Sequence, residues 1–187
     1  MLYNVSGSAI KKTLFHPKAD AIARLQFQTR IRWYEDIERR SIVYLDESGF
    51  ALDAPRTHGY THQGTRCYGK KDWHAKGRLN AIGAIVSFKL LTVELWDCNI
   101  DSQVFFEWVK GALLPVAPAQ SVIVLDGAPF HKRVDIIELM HKKGHVVEFL
   151  PSYSPDLNPI EKKWAQAKAI RRKERCNPHE LFLRQDL

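Results

Sequence analysis

Two short apolar segments of this chain end directly in an aspartate. Residues 42–45 precede Asp46, and residues 122–125 precede Asp126. A third apolar segment is followed shortly afterwards by Glu161. Carboxylates gathered at strand ends are the oxygen ligands that Mg²⁺ prefers, and two such ions can clamp a phosphate during phosphoryl transfer. Because three converging acids repel each other unless a cation lies between them, the trio predicts a divalent-metal site.

Each acid also has an ordinary structural explanation. Aspartate commonly follows a strand because turns begin there. Asn158 and Glu161, with Pro159 between them, have the spacing of a helix capping box. Taken separately, the three acids leave the structural and the catalytic interpretation open.

The composition indicates one compact domain with appendages. A chain of 187 residues with 45% hydrophobic content can bury one good core. Its three cysteines are odd in number and far apart, which argues against a disulfide framework or a Cys-x-x-Cys zinc site. No apolar run approaches the roughly 18 residues of a membrane span, and the N-terminus lacks a signal peptide. We expect a cytoplasmic protein with no membrane partner.

The distribution of charge predicts an anionic partner. The formal net charge of +7 divides into +4 over residues 1–40, −2 over residues 41–161 and +5 over residues 162–187. An acidic middle between basic flanks fits a metal-loaded centre with phosphate-binding edges. Solvated charged helices are the alternative explanation.

Hydrophobic periodicity predicts an α/β domain. We expect three strands, then a helix, a strand, a helix, a strand and a final helix, after a linker helix at the start of the chain. The predicted strands are 41–46, 79–88, 90–96, 122–125 and 146–150, with a short strand or hairpin within 58–72, and the predicted helices are 17–40, 102–114, 131–143 and 159–175. Residues 1–40 are then a linker segment, 41–175 the core domain and 176–187 a tail.

Three sequence blocks carry a family resemblance. They are YLDESGF at 44–50, VLDGAPFH at 124–131 and LPSYSPDLNPIEKKW at 150–164. They resemble the catalytic blocks of bacterial insertion-sequence transposases of the mariner superfamily, and the last block is the most specific. Thirty-four residues separate Asp126 from Glu161, the spacing that the Asp-Asp-Glu branch of that superfamily uses. Gly127 is a departure, because the family usually has asparagine there.

The resemblance implies a fold and a reaction. The fold would be ribonuclease H-like, a mixed sheet of three antiparallel strands followed by alternating helices and strands, flanked by helices. Asp46, Asp126 and Glu161 would be the catalytic residues and would hold two Mg²⁺ or Mn²⁺ ions. The enzyme would be a DDE transposase that cleaves DNA at the ends of a mobile element and transfers the strand to target DNA.

The resemblance also implies a nucleoid-associated location and a set of partners. These are the transposon ends, the target DNA and a second copy of the chain in a homodimer or synaptic complex. Fewer than fifty residues precede the first catalytic strand. Because full-length relatives carry helix-turn-helix domains there, an upstream helix-turn-helix partner protein is expected to supply them, unless the chain is a remnant.

Five basic residues are candidate DNA contacts. Lys168 and Arg172 share a helix face with Glu161, and Arg171 and Arg175 broaden this basic stripe. A solvated helix end would have the same composition. His131 contacts DNA near Asp126 or simply opens its helix, and the sequence favours neither.

Other neighbours have weaker claims to a role. Glu47 points to the opposite side of the strand from Asp46. Asp156 is an alternative third metal ligand, although a turn role fits it better. Trp164 fits core packing better than base stacking.

Two other functions remain compatible with the sequence. One is a ribonuclease H-like nuclease that acts on RNA or structured DNA. The other is an inactive or repurposed DNA-binding remnant of a transposase, which Gly127 and the short N-terminal part would suit.

Overall fold

The computed structural model describes residues 16–53, 60–68 and 77–184. These residues form five strands and five α-helices, with three short turns of other helix types between them. The strands are β1 (Ile42–Ala51), β2 (Arg78–Val86), β3 (Lys89–Trp96), β4 (Val122–Leu125) and β5 (Val146–Phe149), and the helices are α1 (Ala21–Asp36), α2 (Ser102–Trp108), α3 (Val134–Lys142), α4 (Ile160–Glu174) and α5 (Pro178–Phe182).

The five strands form one mixed sheet in the order β3-β2-β1-β4-β5. β2 and β3 pair antiparallel, as the sequence predicted from their closely spaced apolar runs, and β1 pairs antiparallel with β2, as the family resemblance implied. β4 and β5 join them in parallel with β1. β1 pairs with β4 only from Ile42 to Tyr44 and then runs on to Ala51, beyond the predicted end at Asp46. The β1 residues just after this paired stretch lie at the same edge of the sheet as the residues that follow β4 and β5.

Helices cover both faces of the sheet. Val43 and Leu45 of β1 pack with Phe105 and Trp108 of α2 in the larger core, and α3 adds Ile136 and Met140 to it. On the other face, Phe50 of β1 packs with Trp164 of α4 and Leu181 of α5. The alternation along β1 follows from its pleat, since successive side chains point to opposite faces.

Several predicted boundaries shift. Asp101 caps α2 by accepting hydrogen bonds from the N–H groups of Gln103 and Val104 at 2.9 Å, and a π-helical turn, Val109–Leu113, continues the predicted helix. The predicted helix 131–143 begins only at Val134, after a 3₁₀ turn at Pro129–Lys132.

The turn between β2 and β3 consists of Ser87 and Phe88, whereas the predicted strands 79–88 and 90–96 left only Lys89 for it. Ser87 and Phe88 both have positive φ, of 48° and 65°. Two-residue hairpin turns need this backbone, which takes Phe88 out of the predicted strand. Phe88 is therefore 62% exposed at the tip of the hairpin.

The ends of the predicted domain also change. Within the predicted strand or hairpin at 58–72, residues 60–68 contain a turn and no strand, and the others lie outside the described residues. The predicted tail contains α5, whose capping box joins Asn177 and Glu180. Because Leu181 is buried in the core, α5 is part of the domain. No helix of the described part of the chain is long and apolar enough to cross a membrane.

Candidate active site

Three carboxylates from different elements line one cavity of about 380 Å³. Asp46 lies within β1, and Asp126 follows the last residue of β4. Tyr44 pairs in parallel with Val124, and Asp46 and Asp126 each lie two residues further along, so the two acids come to the same level of the sheet. Glu161 reaches the cavity from the first turn of α4. The structure thus brings together the three acids that the sequence singled out.

The Asp46 carboxyl group is in an unfavourable place for a charge. Burial raises its pKa to about 7, and the nearby charges of Glu47, Glu161 and Asp126 add to the effect. A backbone hydrogen bond opposes the shift only in part. A cation in the cavity would favour the ionised form of Asp46.

Asp126 is held by two hydrogen bonds to the same oxygen. Its Oδ1 accepts from the backbone N–H of Ala128 at 2.9 Å and lies 2.7 Å from Nδ1 of His131. The hydrogen bond with His131 is the main cause that lowers the pKa of Asp126, against the opposing effect of burial. Its side chain is 49% exposed, so the carboxylate is fixed yet open to the cavity.

His131 lies between two carboxylates. Its Nε2 is 2.9 Å from Oε1 of Glu47, while Nδ1 faces Asp126. Burial alone would lower the pKa of His131, but the hydrogen bonds with Asp126 and Glu47 outweigh it and raise the pKa to about 9. An imidazole can donate through both nitrogens only when it is protonated, which agrees with that direction.

Glu161 is not used as a helix cap. α4 starts without a side-chain capping bond, so the alternative explanation of the Asn158 and Glu161 spacing fails here. Asn158 instead points its Nδ2 toward the carbonyl oxygen of Leu45 at 3.4 Å. Its Oδ1 is buried without a hydrogen-bond partner and belongs to a residue that lines the cavity.

The donor set fits a hard divalent cation. Asp46, Asp126 and Glu161 offer carboxylate oxygens, the ligand type of Mg²⁺ and Mn²⁺. As the side chains stand, no three acidic, histidine or cysteine side chains among the described residues are close enough to hold one ion together. Ion binding therefore requires Asp46 and Glu161 to move toward Asp126, whose carboxylate is held by Ala128 and His131.

Asp156, the alternative third ligand, is engaged elsewhere. The guanidinium of Arg24 in α1 donates to both of its carboxylate oxygens, at 2.8 and 2.6 Å. This pair fixes α1 against the loop that precedes α4. Nearby, the ring of His16 stacks on Tyr153, a cavity residue, with centroids 4.4 Å apart. Glu161 is therefore the better third ligand.

A family model identifies the chain. Residues 41–180 match the model of the DDE superfamily endonucleases, which spans the sheet and α2 to α4 and ends within α5. The chain belongs to the DDE superfamily endonucleases. A search of curated proteins found no match.

Solved structures agree on the fold of this endonuclease. It is similar to the Mos1 transposase paired-end complex with the left transposon end (TM-score 0.65, 14% identity, 89% of this chain and 54% of that chain). The mariner Mos1 paired end complex with Mg gives a TM-score of 0.62 at 15% identity over 88% and 54% of the two chains. The catalytic domain of Mos1 mariner transposase gives a TM-score of 0.55 at 15% identity, over 84% of this chain and 76% of that chain.

These matches confirm the predicted ribonuclease H-like fold. The chain spans about half the length of the Mos1 chains in the transposon-end complexes, and most of the isolated catalytic domain. Trp164 packs in the core of the endonuclease, 1% exposed and edge-on to Phe50, as the sequence predicted.

The structure divides the five candidate DNA contacts. Arg172 and Arg175 are exposed, and Lys168 is half-buried over the ring of Phe50. Arg171 is 4% exposed, and it donates to the backbone carbonyls of Leu52 and Cys176. His131 is buried as well. The structure therefore does not support Arg171 and His131 as DNA contacts of the endonuclease.

Sequence reasoning missed two residues of the site. Glu47 does face away from Asp46, as predicted, but it reaches Asp126 through His131. Asn158 was interpreted only as a cap. The available signal was the position of both residues inside the family blocks.

Proposed function

We propose that this chain is the catalytic part of a DDE transposase, which cleaves DNA strands at the ends of a mobile element and joins them to target DNA. The observation that carries the proposal is the convergence of Asp46, Asp126 and Glu161 on one cavity in a member of this endonuclease family. The Mos1 structures of similar fold include complexes with transposon ends, with Mg and with Mn.

In this proposal Asp46 and Asp126 hold two divalent ions, and Glu161 is a ligand of one of them. Bound ions of this kind activate a water or a DNA 3′ hydroxyl and stabilise the leaving oxygen. The backbone of the chain contributes the shape of the site. Ala128 fixes one oxygen of Asp126, and the loop at residues 150–155 forms the opposite wall of the cavity.

Positive charge near the cavity supports a phosphate substrate. Gly127 lines the cavity, and Lys132 Nζ lies 3.4 Å from the position that a Cβ atom on Gly127 would occupy. Arg172 and Arg175 lie exposed toward the end of α4, whose first turn carries Glu161. Charges along one helix could hold the DNA backbone while the reacting phosphate lies between the carboxylates.

We also propose that the active form is a dimer or larger synaptic complex, and that recognition of the element ends comes from other residues. The described domain is about half of each Mos1 chain in the transposon-end complexes. A helix-turn-helix partner protein encoded upstream would be one source of that recognition.

Metal-dependent cleavage by isosteric variants tests the reaction. Purified protein is incubated with duplex oligonucleotides that carry the element ends, in Mg²⁺, Mn²⁺ or EDTA. We expect nicked and joined products that require the metal and disappear in Asp126→Asn and Glu161→Gln. Matched controls are Asp97→Asn and Glu138→Gln, which change exposed acids outside the cavity. Full activity in either triad variant contradicts the proposal.

Two alternative outcomes are informative. Cleavage of an RNA–DNA hybrid in preference to duplex DNA would indicate a ribonuclease H-like nuclease instead. Binding of DNA and Mn²⁺ without any strand cleavage would indicate an inactive remnant, for which Gly127 is the first residue to examine.

A further inference from the structure

His131 is enclosed at the side of the cavity and touches one of its carboxylates. Its side chain is 1% exposed. Its ring packs against the rings of Phe105 and Phe130, with centroid distances of 4.4 and 4.2 Å, and those two rings also contact each other edge-on. A ring packed in this way can scarcely rotate, so its two nitrogens have fixed directions.

The two nitrogens connect two elements of the site. Nδ1 is 2.7 Å from Oδ1 of Asp126, in the segment after β4, and Nε2 is 2.9 Å from Oε1 of Glu47, in β1. Glu47 is itself shielded, with its side chain 20% exposed. The orientation of Asp126 thus depends on a chain of two hydrogen bonds that ends on the strand carrying Asp46.

The consequence concerns the other oxygen of Asp126. Oδ1 is occupied by the Ala128 N–H and by His131, so the carboxylate cannot turn freely. Oδ2 is left for the cavity, which Asp126 lines. Hydrogen bonds of this kind to a metal-binding carboxylate hold it in the orientation that the metal needs.

We propose that His131, braced by Glu47, is a positioning residue that fixes Asp126 for divalent-metal binding, and not a DNA contact. Successive acids in β1 then have separate tasks. Asp46 faces the cavity, while Glu47 supports Asp126 from the opposite face of the sheet through His131. This inference rests on the proposed metal-dependent function, because it assigns Asp126 as a ligand.

Mn²⁺ affinity, measured by electron paramagnetic resonance or calorimetry without DNA, tests the inference. His131→Phe keeps an aromatic ring against Phe105 and Phe130 and removes both hydrogen bonds. We expect its dissociation constant for Mn²⁺ to rise about 10–100-fold while the far-UV circular dichroism spectrum is unchanged. Glu47→Ala should give a smaller rise.

A double-mutant cycle separates this positioning chain from general loosening. If Glu47 acts through His131, Glu47→Ala has no further effect on Mn²⁺ affinity once His131 is phenylalanine. Additive losses would overturn that connection. Should His131→Phe not fold, Glu47→Ala alone must still weaken Mn²⁺ binding, and unchanged affinity in that variant overturns the proposal.

The matched control is His145→Phe. His145 is also buried and hydrogen-bonded, at 2.8 Å to Ser121 Oγ, but it lies at the start of β5, away from the carboxyl ends of the strands. We expect its Mn²⁺ affinity to match that of the wild-type protein. An equal loss in this variant would mean that any buried histidine has the effect, and would overturn the specific role of His131.

DNA binding in EDTA distinguishes the remaining outcomes. If His131→Phe weakens metal-free DNA binding and leaves Mn²⁺ affinity unchanged, His131 is a DNA contact and the proposal is wrong. A wild-type protein that binds no Mn²⁺ overturns the metal site together with this inference, whereas unchanged Mn²⁺ affinity in His131→Phe overturns the inference alone.

Discussion

Replacing Asp46 with asparagine should stabilise the metal-free protein while it removes the activity. Burial, Glu47 and Glu161 raise the pKa of Asp46 to about 7 in the folded state. In the unfolded chain an aspartate has a pKa of about 3.9. Between these values the folded state keeps the proton that the unfolded state releases, so this group makes stability fall as pH rises from about 4 to 7. Above pH 7 the destabilisation is complete.

The size of the effect follows from the shift. A difference of about 3 pKa units, at about 1.4 kcal/mol each, corresponds to about 4 kcal/mol of destabilisation above pH 7. Burying the asparagine amide costs part of this free energy, so we expect Asp46→Asn to raise the free energy of unfolding by about 2–4 kcal/mol at pH 8. For a chain of 187 residues this raises the melting temperature by about 5–15 °C.

The assay is thermal and urea unfolding in EDTA at pH 4.5 and pH 8, with Asp97→Asn as the control for the same change at an exposed site. The gain should be largest at pH 8, shrink toward pH 4.5 and disappear in saturating Mn²⁺, because only the wild-type protein is then stabilised by bound metal. An Asp46→Asn protein no more stable than the wild type at pH 8 in EDTA would refute the reasoning.

Three further substitutions have defined outcomes. Gly83→Ala places a methyl group 2.6 Å from Cη2 of Trp164. We expect the free energy of unfolding in urea to fall by about 1–3 kcal/mol, and Mn²⁺ binding to weaken because α4 moves. Wild-type stability would contradict this. Asn177→Ala breaks the capping box of α5 and should lower the free energy of unfolding by about 1 kcal/mol. We expect its Mn²⁺ affinity to be unchanged, and a weaker affinity would show that α5 shapes the site. Gly127→Asn introduces the usual family residue beside the flexible end of Lys132. We expect this variant to cleave DNA faster than the wild-type protein. A slower rate would show that the glycine is required.

Patterns that depend on local sequence predicted the five strands of the sheet in their order along the chain and the cavity acids, although β1 runs five residues past its predicted end. β4 is a run of four buried apolar residues that ends at Asp126, so periodicity and the following acid were enough to place it. Once β1 and β4 pair in parallel, Asp46 and Asp126 lie near each other, and no other contact is needed to explain this. The third family block identified Glu161 as the third acid of the site.

Features that depend on long-range contacts could not be predicted in this way. The bond between Glu47 and His131 joins residues 84 positions apart, and no local pattern specifies it. Arg171 looks like an exposed cation in the sequence, but it is buried and its guanidinium donates to the carbonyl of Leu52, 119 positions away. α5 was missed because a five-residue helix has too little periodicity to recognise.

Anomalous diffraction from crystals grown with Mn²⁺ tests the central claim most directly. We predict manganese peaks in the cavity, with oxygen ligands from Asp46, Asp126 and Glu161 and with His131 still bonded to Asp126. Peaks confined to other sites, or a cavity without manganese at concentrations that support DNA cleavage, would contradict the assignment of these three carboxylates as the catalytic metal ligands.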